Sequence, residues 1–109
     1  MASNKILTLT KDNFLEMALE STNLVVVVFH SNWSGPSKAM SSVVEELATT
    51  YTGKATIGRV DIDENPDLVN QYGIRATPTF LFLKEGREIN RVVGIIQKSD
   101  LQAILVRHL

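Results

Sequence analysis

The chain has 109 residues, 44% of them hydrophobic and 21% charged, with a formal net charge of -1. That length predicts one domain, residues 1-109, able to close a core, and so even a charge balance gives no electrostatic footprint for nucleic acid or an anionic membrane. There is no cysteine, which excludes a disulfide scaffold, a thiolate metal site and a cysteine nucleophile.

Met1-Ala2-Ser3-Asn4-Lys5 carries no long apolar stretch behind a basic region, so no signal peptide is expected and a cytoplasmic location is. Ile6, Leu7 and Leu9 suggest a short first strand. Thr10 is placed to cap a helix reaching about Glu20, with Phe14, Leu15, Ala18 and Leu19 as its apolar stripe. After a turn at Ser21-Thr22-Asn23, the run Leu24 to Phe29 is apolar and rich in valine, the signature of a strand buried on both faces. It is also the longest unbroken apolar run and far too short to cross a bilayer.

A second helix is expected from near Ser34 to about Tyr51, ending before Gly53. Ala55 to Ile62 reads as a strand with Ile57, Val60 and Ile62 toward the core. Asn65-Pro66 opens a short helix, with Asn65 as N-cap, Pro66 as first residue and Gly73 just past the end. Phe80 to Leu83 is the next strand, Glu85-Gly86 a hairpin turn, and Arg87 to Val93 the strand that pairs back before Gly94 breaks it. Lys98 to His108 is a last amphipathic helix with Leu101, Ile104 and Leu105 on one face. The order βαβαβαββα predicts an α/β fold: a central mixed β-sheet with helices on both faces and an antiparallel hairpin at one edge.

The segment joining the valine-rich strand to the second helix stands apart. Such connections carry function more often than the elements they join. Ser34 sits where an N-cap belongs, and Gly35-Pro36 punctuates the turn. The run Trp33-Ser34-Gly35-Pro36-Ser37-Lys38 resembles the thioredoxin active-site segment Trp-Cys-Gly-Pro-Cys-Lys, with serine for both cysteines. Asp61-Ile62-Asp63-Glu64-Asn65-Pro66, Tyr72-Gly73-Ile74-Arg75, Thr77-Pro78-Thr79, Lys84-Glu85-Gly86 and Val93-Gly94 extend the resemblance to the thioredoxin family in the right order along the chain.

The resemblance implies the thioredoxin fold and a family activity of protein-disulfide reduction. In that chemistry a thiolate attacks a disulfide through a mixed-disulfide intermediate. Ser34 would stand in the attacking position and Ser37 in the resolving one, and serine supplies no such thiolate, so the chain is expected to be redox-inactive. Pro78 resembles the family's cis-proline. The Thr77 N–H and C=O beside it are then a place for an extended peptide to pair, and Gly94 a glycine that lets a partner approach. Together Trp33, Gly35, Pro36, Thr77, Pro78 and Gly94 are expected to form a shallow, largely uncharged docking face for a peptide or protein segment. A serine hydrolase has no support: His30 is near, but no acidic partner for it is evident and the Gly-x-Ser-x-Gly elbow is missing. His30 and His108 lie far apart, so no histidine metal site is expected; neither is a cofactor, and the family implies a monomer.

Four departures bear on history. Val28 stands where the family has a buried Asp, Arg59 where it has a lysine, expected here to be solvated, and His30 where it commonly has Trp. Ser42 replaces a proline that kinks the second helix, which predicts a straighter helix. His30 is expected to be an ordinary packing or surface histidine, and His108 to sit well with a helix dipole. Two readings follow. One is a natural relative kept as a peptide-binding module, favoured by Val28, His30 and Ser42. The other is an inactivated form of a working thioredoxin, favoured by the paired serines, whose cysteine-containing parent would be recharged by a thioredoxin reductase.

Overall fold

The computed structural model describes residues 6–109; the opening Met1–Lys5, on which the expectation of no leader rests, lies outside it. The strands are Ile6–Thr8 (β1), Leu24–His30 (β2), Ala55–Asp61 (β3), Thr79–Lys84 (β4) and Arg87–Val93 (β5). The helices are Gly35–Ala39 (α1), Ser41–Thr50 (α2), Pro66–Tyr72 (α3) and Lys98–Arg107 (α4), with a short π-helical turn at Leu15–Leu19. The sheet order is β1-β3-β2-β4-β5, with β2 parallel to β3 and antiparallel to β4.

Central position explains the composition of β2. Successive side chains of a strand point to opposite faces, and both faces here are covered. Leu24, Val26 and Val28 pack with Met40, Val44, Leu47, Phe80, Phe82, Leu101 and Leu105 under α2 and α4. Val25, Val27 and Phe29 pack on the other side with Phe14, Ala18, Val60, Leu68, Leu81 and Leu83. A strand wet on one face would have needed polar residues at alternate positions. Gly58 of β3 is required by the same crowding, since a Cβ there would overlap the Leu9 side chain.

The β4–β5 hairpin turns through Glu85 and Gly86, both at positive φ (52° and 82°), the geometry of a two-residue hairpin turn. The C-terminal helix is tied down by Lys84, whose ammonium donates to the carbonyls of His108 (3.0 Å) and Leu109 (3.3 Å). His108 follows the last turn of α4 as its C-cap and stacks at a tilt near Phe82.

Three local expectations are corrected. The helix of residues 10–20 is only a turn at 11–13 followed by the π-helical Leu15–Leu19. The widened turn rotates Leu15 out of the stripe, where it is 61% exposed, while Phe14 and Ala18 stay buried. Thr10 caps nothing longer than this: its hydroxyl accepts the Asp12 N–H at 3.2 Å. The second helix is not continuous. It breaks at Met40, whose N–H bonds the Ser37 carbonyl in a tight i−3 contact at 3.2 Å. The break falls immediately before the Ser41-Ser42 pair, and serine, whose hydroxyl competes for nearby backbone groups, favours helix ends over interiors. Asn65 precedes α3 but does not cap it with its side chain. Its amide instead accepts the Lys11 N–H (3.2 Å) and donates to the Asp61 carbonyl (2.9 Å), pinning the loop that follows β3.

Candidate functional site

At the carboxyl end of β2 the chain leaves the sheet at His30 and enters α1 at Gly35. Three serines hold this connection in a ring of hydrogen bonds. The Ser31 N–H donates to Ser37 Oγ (3.1 Å), the Ser34 N–H to Ser31 Oγ (3.1 Å), and the Ser37 N–H to Ser34 Oγ (3.3 Å). All three side chains are buried, Ser34 at 8% and Ser37 at 7% exposure. Ser34 is thus the N-cap of α1, as its position indicates. Ser37 does more than occupy the first turn, because its hydroxyl closes the ring back onto β2. Ser31 was not singled out by sequence. The signal was there in the spacing: Ser-x-x-Ser-x-x-Ser puts a hydroxyl every three residues around a turn, the reach of a side chain to a backbone N–H.

Trp33 lies outside the ring and is 69% exposed. Its Nε1–H donates to Asp63 Oδ2 at 2.8 Å, so the loop after β3 holds the indole over the surface. Gly35 and Pro36 are exposed next to it. The Thr77–Pro78 peptide is cis. Pro78 is buried against the same region as Ser37, and both line one cleft. The loop 76–79 is fixed from inside: Thr79 Oγ1–H donates to the Ala76 carbonyl (2.7 Å), and the Gly94 N–H to the Pro78 carbonyl (2.8 Å). Gly94 itself is at φ 92°, a conformation that suits glycine. Neither the N–H nor the C=O of half-buried Thr77 has a backbone partner among the described residues.

Beneath this surface lies a cleft of about 350 Å³. Val28, Met40 and Val44 supply apolar wall. His30, Lys38 and Arg59 bring the charge-bearing groups, so the surroundings of the docking face are less neutral than its own residues. Arg59 is half-buried in this wall rather than freely solvated, because β3 pairs with β2 in a register that sets it opposite buried Val28. Val28 itself is 3% exposed and packed into the core, so no acid lies behind Ser37 at that position. His30 is half-buried. Burial, then the Arg59 guanidinium, hold its imidazole below the usual 6.5, and Asp61 partly opposes them. His30 is thus the packing histidine of the two expected, a half-buried wall of the cleft.

The arrangement cannot run thiol chemistry, because the chain holds no sulfur nucleophile. Nor does it offer a serine nucleophile with a base, since the hydrogen bonds at Ser34 and Ser37 join them to backbone N–H groups and not to His30. The strand order, the cis peptide beside the loop and the exposed indole together form a recognisable site, and comparison with known proteins agrees. The thioredoxin family model matches residues 5–107. A thioredoxin of Chlorobaculum thiosulfatiphilum is 36% identical over 107 residues, covering 98% of this chain and 99% of its own. Thioredoxin 2 of Chlorobaculum tepidum is 38% identical over 107 residues, 98% of each chain, and thioredoxin 1 of a Nostoc species 39% over 100 residues, 92% of this chain and 94% of the relative. With likeness running nearly end to end, and with the motif intact but for its sulfur, the chain belongs to the thioredoxin family.

Proposed function

We propose that this chain is a natural, redox-inert thioredoxin relative that holds an extended peptide or protein segment on the face formed by Trp33, Gly35, Pro36, Thr77, Pro78 and Gly94. The observation that carries the reading is the Thr77 peptide group. Its N–H and C=O lack backbone partners among the described residues, and a strand laid alongside would satisfy both. The exposed Trp33 indole, fixed through Asp63, supplies apolar contact at one side. Ser34 and Ser37, at the family's cysteine positions, shape the loop and transfer no electrons. This reading sets the protein in the cytoplasm as a monomer that needs neither metal nor cofactor.

The buried ring supports a natural origin. Ser31 completes it and Val28 is packed as core, and neither is needed to disable an enzyme. The second reading, a working thioredoxin inactivated at both cysteines and served in its parent form by a thioredoxin reductase, draws on the parallel replacement at Ser34 and Ser37. The test introduces Ser34→Cys and Ser37→Cys together and measures reduction of a protein disulfide by a thiol donor, with and without Val28→Asp. Poor turnover that rises when Val28→Asp is added supports the natural relative. Full turnover of the double variant alone overturns it. The binding half is tested by titrating a β-prone hexapeptide into labelled protein: saturable shifts at Thr77 and Trp33 are expected, and unmoved resonances there refute the docking face.

A further inference from the structure

The cleft under the 31–38 connection has a one-sided chemistry. Its lining includes His30 from β2, Arg59 from β3 and Lys38 from α1, and no Asp or Glu. Arg59 makes no salt bridge among the described residues. The nearest acid to His30 along the sheet, Asp61, does not line the cleft: its Oδ1 accepts the Asp63 N–H at 2.9 Å and its Oδ2 faces the Asn32 amide at 3.5 Å, and its charge only partly offsets that of Arg59 at His30. The polar groups on the wall include donors, the hydroxyls of Ser37 and Ser41 and the Asn32 amide. Parity explains the assembly. Val28 and His30 share one face of β2, and their registered partners Arg59 and Asp61 share that face of β3. The cleft opens where these parallel strands end, the place where open α/β sheets take ligands.

We propose that this cleft is a receptor for one oxyanion, a carboxylate or a sulfate- or phosphate-like group, gripped by the Arg59 guanidinium with His30 and the Ser37 and Ser41 hydroxyls around it. A guanidinium presents a planar fork of donors matched to two oxygens of such a group. Arg59 is half-buried as a residue, and a partly buried pair is screened less than one on the open surface. The volume, about 350 Å³, admits a small anion or an acidic side chain. The site does not depend on peptide docking at Thr77, since a free anion reaches it from solvent.

Binding reciprocally favours the protonated imidazole. The charged groups acting on His30 are Arg59 and Asp61 on the sheet, and Lys38 lines the same cleft from α1, so an anion held at Arg59 would offset the repulsion from its guanidinium. The test is a titration of the full chain with sodium sulfate against sodium chloride at matched ionic strength. It is followed by amide shifts of Ser31, Ser37 and Lys38 and by the His30 ring protons through a pH series. Saturable, sulfate-specific shifts are expected, with the His30 midpoint moving up in sulfate and the affinity falling at least tenfold in Arg59→Met. Unfolding midpoints establish that this variant is folded, and Arg59→Lys, which keeps charge but loses the fork, is expected to restore only part of the affinity. Shifts that are linear in salt, equal for the two salts, or unchanged in Arg59→Met overturn the proposal. The source of the anion is decided by a second arm with the hexapeptide Ac-Val-Thr-Glu-Val-Thr-Val-NH2 and its Gln twin. Preference for the Glu peptide that vanishes in Arg59→Met assigns a chain-borne carboxylate, and equal peptide binding with sulfate retained assigns a free anion. If neither peptide binds while sulfate does, the docking face fails and the anion receptor stands.

Discussion

Removing any one hydroxyl from the serine ring should cost more than a surface serine is worth. Ser31→Ala strands the Ser34 N–H, Ser34→Ala the Ser37 N–H, and Ser37→Ala the Ser31 N–H. All three sites are buried, so water replaces the lost acceptor poorly. An orphaned buried donor costs about 1–3 kcal/mol, and an N-cap serine replaced by alanine about 0.5–2. The long 3.3 Å bond at Ser34 argues for the lower half of that range there, about 1 kcal/mol, and the two 3.1 Å bonds for about 1.5 kcal/mol at Ser31 and Ser37. For a domain near this size, each kcal/mol moves the melting point by about 4–8 °C. Urea titration followed by Trp33 fluorescence and far-UV dichroism should therefore give midpoints about 1 M below the parent with unchanged slope. Because the three bonds close on one another, pairs of substitutions should deviate from additivity by about 0.5 kcal/mol or more. Ser34→Cys and Ser37→Cys should fall between parent and alanine, since sulfur is a weak acceptor. Three alanine variants within about 0.3 kcal/mol of the parent would show that the ring contributes nothing and refute the reasoning.

His30 gives a pH test. Its folded-state value is lowered, chiefly by burial, so below the ordinary 6.5 the unfolded chain takes up the proton first. Stability is then full above about 6.5 and declines as pH falls toward the folded value; His30→Phe should lose less between pH 7.5 and 5.5 in urea midpoint than the parent does, and equal losses count against it. Gly58→Ala would drive a Cβ into Leu9 and should destabilise by about 1–3 kcal/mol, measured by thermal melting; a neutral result would mean that the Leu9 side chain yields freely. At the π-helical turn, Leu15→Lys should be neutral within about 0.5 kcal/mol, whereas Phe14→Ala should cost about 3–5 kcal/mol. Comparable losses at the two positions would restore the regular helix that the spacing suggests.

Where one period dominates, the fold was legible in the sequence. The continuous apolar run of β2 announced burial on both faces, Asn65-Pro66 and Gly73 bracketed α3, and Glu85-Gly86 marked the hairpin. Where two devices compete, it was not. Phe14, Leu15, Ala18 and Leu19 fit a helical stripe equally well before the turn widens, and nothing local says that it does. Asn65 looks like a cap from its neighbours, but a tertiary demand for its amide, from Lys11 and Asp61, takes precedence. At the site, the family motif located the Trp33–Lys38 loop, Pro78 and Gly94. The cleft was hidden, because His30 and Arg59 are 29 positions apart in number and meet only through the parallel register of β2 with β3.

The place of β2 in the middle of the sheet has a consequence for biosynthesis. Six consecutive apolar, mostly β-branched residues without charge or proline form a segment prone to cross-β assembly when left bare. Both of its partners are encoded later, β4 last of all at Thr79–Lys84. On a ribosome adding about 5–20 residues per second, the segment waits seconds for its cover, an exposure during synthesis that the stability of the finished fold does not remove.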